Sequence, residues 1–188
     1  MLDTGNPSAI RSQTEITQAL ISLMNSYPYS EISVKQITLE AKLSRKTFYR
    51  NYESKDDVLF SLIRKTLHSY YDVINNTEGD VLKTIFAFAG KNKDLLLLLD
   101  KNNMLHVVLQ CLNDYEPLSR RKIVTGTNPF NKMFEGLDPV YIMAMIIGAF
   151  WNIIASWIHR GMDTPPDEII TTITAYFHRM EVNVHHVV

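Results

Sequence analysis

Arg45, Lys46 and Arg50 fall within six consecutive residues, interleaved with Phe48, Tyr49 and Tyr52. A guanidinium directs a fork of N–H donors at a phosphate or a guanine edge, and an ammonium adds a point charge beside it. This is chemistry for recognising a polyanion, not for breaking a bond. Residues 42 to 55 hold Lys42, Arg45, Lys46, Arg50 and Lys55 against the single acid Glu53, so the window carries +4. The chain of 188 residues has a formal net charge of −1. An anionic partner must therefore be met by a local patch, since no global field draws it in.

Such a patch needs a helix to aim it. Phe48 and Tyr52 are four apart and share one face, where with Leu43 they dock the helix on its neighbours. Arg45, Lys46, Tyr49 and Arg50 then fall on the opposite side, with Thr47 near the N-terminus. Ser44 is placed to cap this helix, with Leu43 and Phe48 at hydrophobic-staple spacing. Just before it, Ser33-Val34-Lys35-Gln36 reads as a capping box, with Ile32 and Ile37 at its staple positions. Val34, Ile37 and Ala41 give that second helix an apolar stripe. About three residues, Lys42 to Ser44, join the two. The pattern predicts a helix-turn-helix, whose second helix enters a DNA major groove.

The flanking elements follow the same logic. Ile16, Leu20, Leu23 and Met24 predict a first amphipathic helix over residues 8 to 26, stopped by Pro28. Ser54 caps a fourth helix with Asp56 and Asp57 in its first turn. Val58, Leu59, Leu62, Ile63 and Leu67 carry it to about residue 75. The N-termini of the second and fourth helices add free amides that suit phosphate.

The polar run Asn75-Asn76-Thr77-Glu78-Gly79-Asp80 predicts a domain boundary. It separates a DNA-binding domain, residues 1–55, and its connecting helix, 55–75, from a helical domain of residues 76–188. Helices are expected over 81–89, 94–99 and 104–112, with a loop at 124–130. Asp138-Pro139 opens a long apolar helix that Gly161 closes. Thr164-Pro165-Pro166-Asp167 starts a last helix with Ile169, Ile170, Ile173, Phe177 and Met180 on one face. Strand-like alternation is scarce, so the fold class is all-α. Val140 to Ile158 carries no charge and is long enough to raise a membrane span. Asn152 and Ser156 interrupt it, and it reads instead as a helix buried by its own domain and a partner subunit.

Other function classes find little support. Cys111 is the sole cysteine, which excludes a disulfide framework and suits the reducing cytoplasm. The opening MLDTGNPSAIR has no basic segment followed by an apolar run, so no signal peptide is expected. There is no phosphate loop, nucleophile elbow or HExxH, so neither an enzyme nor a cofactor is expected. His106, Cys111 and His159 match no metal-ligand spacing. His185 and His186 fall in a tail expected to fray.

The stretch ISVKQITLEAKLSRKTFYRNYESKDDVL, Ile32 to Leu59, resembles the DNA-binding signature of the TetR family of bacterial transcriptional regulators. The Arg45-Lys46-Thr47-Phe48-Tyr49 form is similar to a subgroup common in Firmicutes. Ala149-Phe150-Trp151 through Trp157-Ile158-His159-Arg160-Gly161-Met162, with the Thr-Pro-Pro-Asp-Glu that follows, also resembles the family's last two helices. Residues 76 to 135 resemble no family. Many members carry glycine where this chain has Lys42, which implies a turn with positive φ at that position.

The resemblance implies a homodimeric repressor on a palindromic operator in double-stranded DNA. Ser33, Tyr49 and Lys55 would touch phosphates. Arg45, Lys46, Thr47, Arg50 and Asn51 would approach base edges, and Lys42 and Ser44 would complete the DNA-facing set. Two heads would meet successive major grooves about 34–36 Å apart. A dimer bundle would use Gly148, Ala155, Trp157, Ile158, Ile173 and Phe177. A small effector would bind among Phe86, Met104, Met143, Ile147 and Trp151 and release DNA through the fourth helix. The alternative is a coactivator or adaptor of the same fold whose main partner is a protein.

Overall fold

The computed structural model describes residues 6–75, 80–114 and 136–184, and all regular structure among them is helical. Helix α1 spans Pro7–Ser26, α2 Val34–Glu40, α3 Arg45–Asn51 and α4 Lys55–Asn75, with a 3-10 turn at Tyr29–Glu31. Beyond residue 80 come α5 (Val81–Lys91), α6 (Lys93–Lys101), α7 (Leu105–Asp114), α8 (Pro139–His159) and α9 (Pro166–Val184). Residues 76–79 of the expected boundary, the expected loop at 124–130, and His185 and His186 lie outside the described residues.

The short helices form because their ends are satisfied locally. Both halves of the capping box are made at Ser33: its hydroxyl accepts from Gln36 N–H at 3.3 Å, and Gln36 Oε1 accepts from Ser33 N–H at 2.9 Å. Ser44 Oγ accepts from Thr47 N–H at 3.1 Å, and Ser54 Oγ from Asp57 N–H at the same distance. Each cap contributes about 1 kcal/mol. Seven-residue helices such as α2 and α3 could not stand alone. Their staple residues Ile32, Ile37 and Phe48 enter one core with Ile16, Leu20 and Met24 of α1 and Val58, Leu59 and Ile63 of α4.

Helix α4 belongs to both halves of the molecule. Its first turns fill the core around α1, Leu67 and Tyr71 continue that core into the C-terminal half, and Ile74 is buried beyond them. There α5 packs on α4 and α9, and α6 packs on α8. Phe86, Leu99, Cys111 and Ile158 are among its fully buried side chains.

Within this chain, helix α8 is buried along one side only. It is long and apolar enough to cross a bilayer, yet only Ile154, Trp157 and Ile158 are buried within the chain. Tyr141, Met145, Asn152, Ser156 and His159 run down an exposed stripe at helical spacing. A single such helix is weak evidence for a membrane span, because an interface helix has the same composition.

Candidate nucleic-acid interface

Helix α3 is two-faced. Phe48 and Tyr52 are buried, at 0% and 5% exposure, with their rings 6.2 Å apart. Tyr49 is 59% exposed and meets Phe48 edge-on, at 5.4 Å between centroids. Arg45, Lys46 and Arg50 are exposed on the outer side, with Lys42 on the turn before them. None of these four side chains forms a hydrogen bond or ion pair with another described residue, and Arg50 does not pair with Glu53. Four uncommitted cations on one exposed surface leave their donors available to an anion.

The smaller polar groups of the site are partly spoken for. Thr47 Oγ1 shares a 3.0 Å hydrogen bond with Ser44 Oγ. Asn51 Nδ2 donates to Thr47 C=O at 2.8 Å, which leaves its Oδ1 free of described partners. Ser33 is exposed at the N-terminus of α2. The turn geometry matches the expectation for Lys42, which adopts φ 54°. Its N–H reaches Leu39 C=O at 3.1 Å, and Leu43 N–H reaches Thr38 C=O at 2.9 Å, closing the end of α2.

Lys55 is placed differently from the role the resemblance implies. Its ammonium donates to Tyr29 C=O at 2.7 Å, Ile32 C=O at 2.8 Å and Ser30 C=O at 3.3 Å, and lies 4.5 Å from the Tyr29 ring centroid. All three of its donors are thus directed at backbone oxygens of the 3-10 turn and of Ile32 just after it. The charge remains near the patch, but the side chain acts as an internal tie between α4 and the α1–α2 connection. Tyr29 completes that tie, since its hydroxyl donates to Asp56 Oδ1 at 2.6 Å. Burial, reinforced by Asp56, pushes the Tyr29 phenol well above its ordinary range.

In the C-terminal half, a cavity of about 190 Å³ lies among α4, α5, α6, α7 and α8. Of the five residues suggested for an effector, Met143, Ile147 and Trp151 line it and Phe86 and Met104 do not. Phe86 is a core residue, 1% exposed and stacked edge-on against Trp157 at 5.3 Å. Met104, at the start of α7, packs on the outside of the core. Apolarity alone does not separate a lining residue from a filling one. Sequence reasoning also missed Tyr70, Phe88, Asn92 and Leu99 on this wall. The adjacent Tyr70 and Tyr71, three and four residues past Leu67, were the available signal for an aromatic wall on α4.

The expected dimer set divides as well. Trp157, Ile158 and Ile173 are 5%, 0% and 9% exposed, so they fill the core of this chain and cannot form an outer face. Trp157 Nε1–H also donates to Thr164 C=O at 2.9 Å, which fixes the α8–α9 connection. Phe177 is exposed, Ala155 is half-buried, and a side chain at Gly148 would meet nothing within 4 Å.

A short capped helix carrying free cations on its outer face, positioned by a preceding short helix, defines a helix-turn-helix DNA-binding protein. The family model described as "Bacterial regulatory proteins, tetR family" matches residues 16–62, from the middle of α1 through the first turns of α4. On that match residues 16–62 carry a helix-turn-helix DNA-binding domain of the tetR type.

Solved structures of similar fold extend across both halves. The fatty acid degradation regulator FadR from Bacillus halodurans aligns with a TM-score of 0.58 at 18% identity, covering 91% of this chain and 94% of its own. A TetR transcriptional regulator from Streptococcus agalactiae 2603V gives 0.59 at 18% identity, covering 88% and 92%. The dihydroxyacetone kinase operon activator DhaS gives 0.51 at 23% identity, covering 89% and 96%. No curated protein shows significant sequence similarity to the chain. By their names these neighbours are regulators or an operon activator.

Proposed function

We propose that this regulator is a ligand-responsive repressor that binds a palindromic operator as a homodimer in the cytoplasm. The observation that carries the reading is the outer face of α3, where Arg45, Lys46 and Arg50 stand exposed without partners beside Tyr49. In this reading residues 1–55 are the reader, α4 is the connection, and residues 76–188 form the effector and dimerisation domain. Arg45 and Lys46, with Thr47, Arg50 and Asn51, approach base edges. Ser33, Lys42, Ser44 and Tyr49 meet the phosphates, and Lys55 holds the reader together from behind.

One short head buries too little surface for tight selection, so two are needed. The exposed stripe of α8 and the outer side of α9 offer the means. Tyr141, Met145, Tyr176 and Phe177 are each more than half exposed, and Gly148 allows close approach. A second copy of the chain is the favoured occupant over a bilayer. Entry into lipid would pull Ile154, Trp157 and Ile158 out of the core on the helix's other side.

The test is a gel shift against random duplex, followed by selection of bound sequences. A dimeric reader binds with affinity that falls steeply with salt, and selects a two-fold symmetric site. Binding that is absent at low salt, or a selected site without symmetry, refutes the proposal and favours the adaptor reading.

A further inference from the structure

We propose that the cavity among α4, α5, α6, α7 and α8 takes an electrically neutral, mostly apolar small molecule, held by a single hydrogen-bonding end. This rests on the effector reading above and narrows it to a chemical class. An apolar cavity of about 150 Å³ admits benzene, so the 190 Å³ here suits roughly eight non-hydrogen atoms.

The described lining contains no Asp, Glu, Lys, Arg or His. A carboxylate or ammonium entering it would lose its hydration and gain no counter-ion. The few polar groups are neutral. Thr66 Oγ1 already donates to Leu62 C=O at 3.1 Å, and Asn92 Nδ2 donates to Phe88 C=O at 2.9 Å.

Two groups on the wall remain unused. The Tyr70 hydroxyl makes no hydrogen bond with a described residue, and neither does Asn92 Oδ1. Burial pushes the Tyr70 phenol up to about 12, so near neutral pH it is an uncharged donor. Its ring is fixed against Phe88 and Tyr71, each 5.2 Å away between centroids. A half-buried hydroxyl without a described protein partner is free to meet a ligand oxygen. One donor and one acceptor on an otherwise apolar wall match an alcohol, a ketone or an amide better than an acid.

The experiment compares three probes of equal length, 1-octanol, octanoate and octylamine, titrated into the full chain at neutral pH by calorimetry. The expected result is saturable octanol binding, one per chain, at least about tenfold tighter than either ion. Tyr70→Phe should weaken octanol about fivefold, the loss of one neutral hydrogen bond. Ile147→Trp, and separately Met143→Phe, should fill the cavity and abolish binding while circular dichroism shows the helices intact. Octanoate or octylamine binding as tightly as octanol overturns the neutral class but leaves the effector cavity standing. Octanol binding unchanged by Tyr70→Phe removes the hydrogen-bonding end. No saturable binding of any probe, or binding untouched by either filling variant, overturns the cavity as an effector site altogether.

Discussion

Asn102 and Tyr29, 73 positions apart in sequence, are joined by a 2.8 Å hydrogen bond in which Asn102 Oδ1 accepts from Tyr29 N–H. The same side-chain amide donates to Met24 C=O at 3.1 Å and to Leu98 C=O at 2.9 Å. Beside it, Lys101 Nζ donates to Asn25 C=O at 2.8 Å. The C-terminal end of α6 therefore holds the exit of α1 and the 3-10 turn, the same turn that Lys55 grips from α4. Leu95, Leu96 and Leu99 of α6 line the cavity, and Asp100 pairs with His159 of α8 at 2.6 Å. One short helix thus touches the cavity, the outer helix and the reader, so α4 is not the sole physical link between the halves.

Asn102→Ala leaves Tyr29 N–H and Met24 C=O without their partner. Stability should fall by about 1–3 kcal/mol, the range for orphaned buried polar groups. Urea unfolding measures this, and hydrogen exchange at the Tyr29 amide should speed up before the rest of α1 does. An unchanged midpoint would show that the clasp carries no energy.

Lys55→Met and Arg45→Ala should have opposite signatures. Lys55→Met removes three hydrogen bonds to backbone oxygens, so it should destabilise the fold by about 1–3 kcal/mol and weaken all DNA sequences alike. Arg45→Ala touches no described partner, so stability should stay within about 0.5 kcal/mol. It should instead change sequence preference, by about 1–3 kcal/mol at one base position. Unfolding curves read beside a binding series on single-base variants separate the two.

Lys42→Gly should stabilise the reader while weakening its hold on DNA. At φ 54° a side chain is strained, and glycine should relieve roughly 1 kcal/mol of that. The loss of one cation should reduce the slope of log affinity against log salt by about 1. A destabilised Lys42→Gly protein would contradict the turn geometry.

Met145→Glu and Trp157→Ala, both on α8, should fail in different ways. Met145 is 62% exposed, so a charge there should yield a folded monomer by sedimentation. Trp157 is buried against Phe86, and its truncation should cost about 3–5 kcal/mol whatever the oligomeric state. A Met145→Glu protein that remained dimeric would place the interface elsewhere.

The reader was legible because its determinants are local. Ser33 with Gln36, Ser44 with Thr47, and the spacing of Phe48 and Tyr52 all act within four residues of one another. Helix α1 starts one residue earlier than expected, at Pro7 behind an Asn6 cap, and α9 starts at Pro166, inside the expected Thr164–Asp167 stretch. Such shifts are small because caps and prolines mark their own positions.

The C-terminal half was legible only as helices. In α8 nearly every position is apolar, so periodicity there distinguishes no inward face. Trp157 and Ile158 looked as suited to an interface as Tyr141 and Met145. The packing of α6 and α5 decided which went inside. Likewise Lys55 reads as a free cation until the chain brings the carbonyls of Tyr29 and Ile32 to its tip. The sequence alone determined the helix-turn-helix and its outward cations, since capping and four-residue spacing are properties of adjacent residues. Only the tertiary structure decided the cavity, the α6 clasp and the bare stripe of α8, because each depends on contacts between segments far apart along the chain.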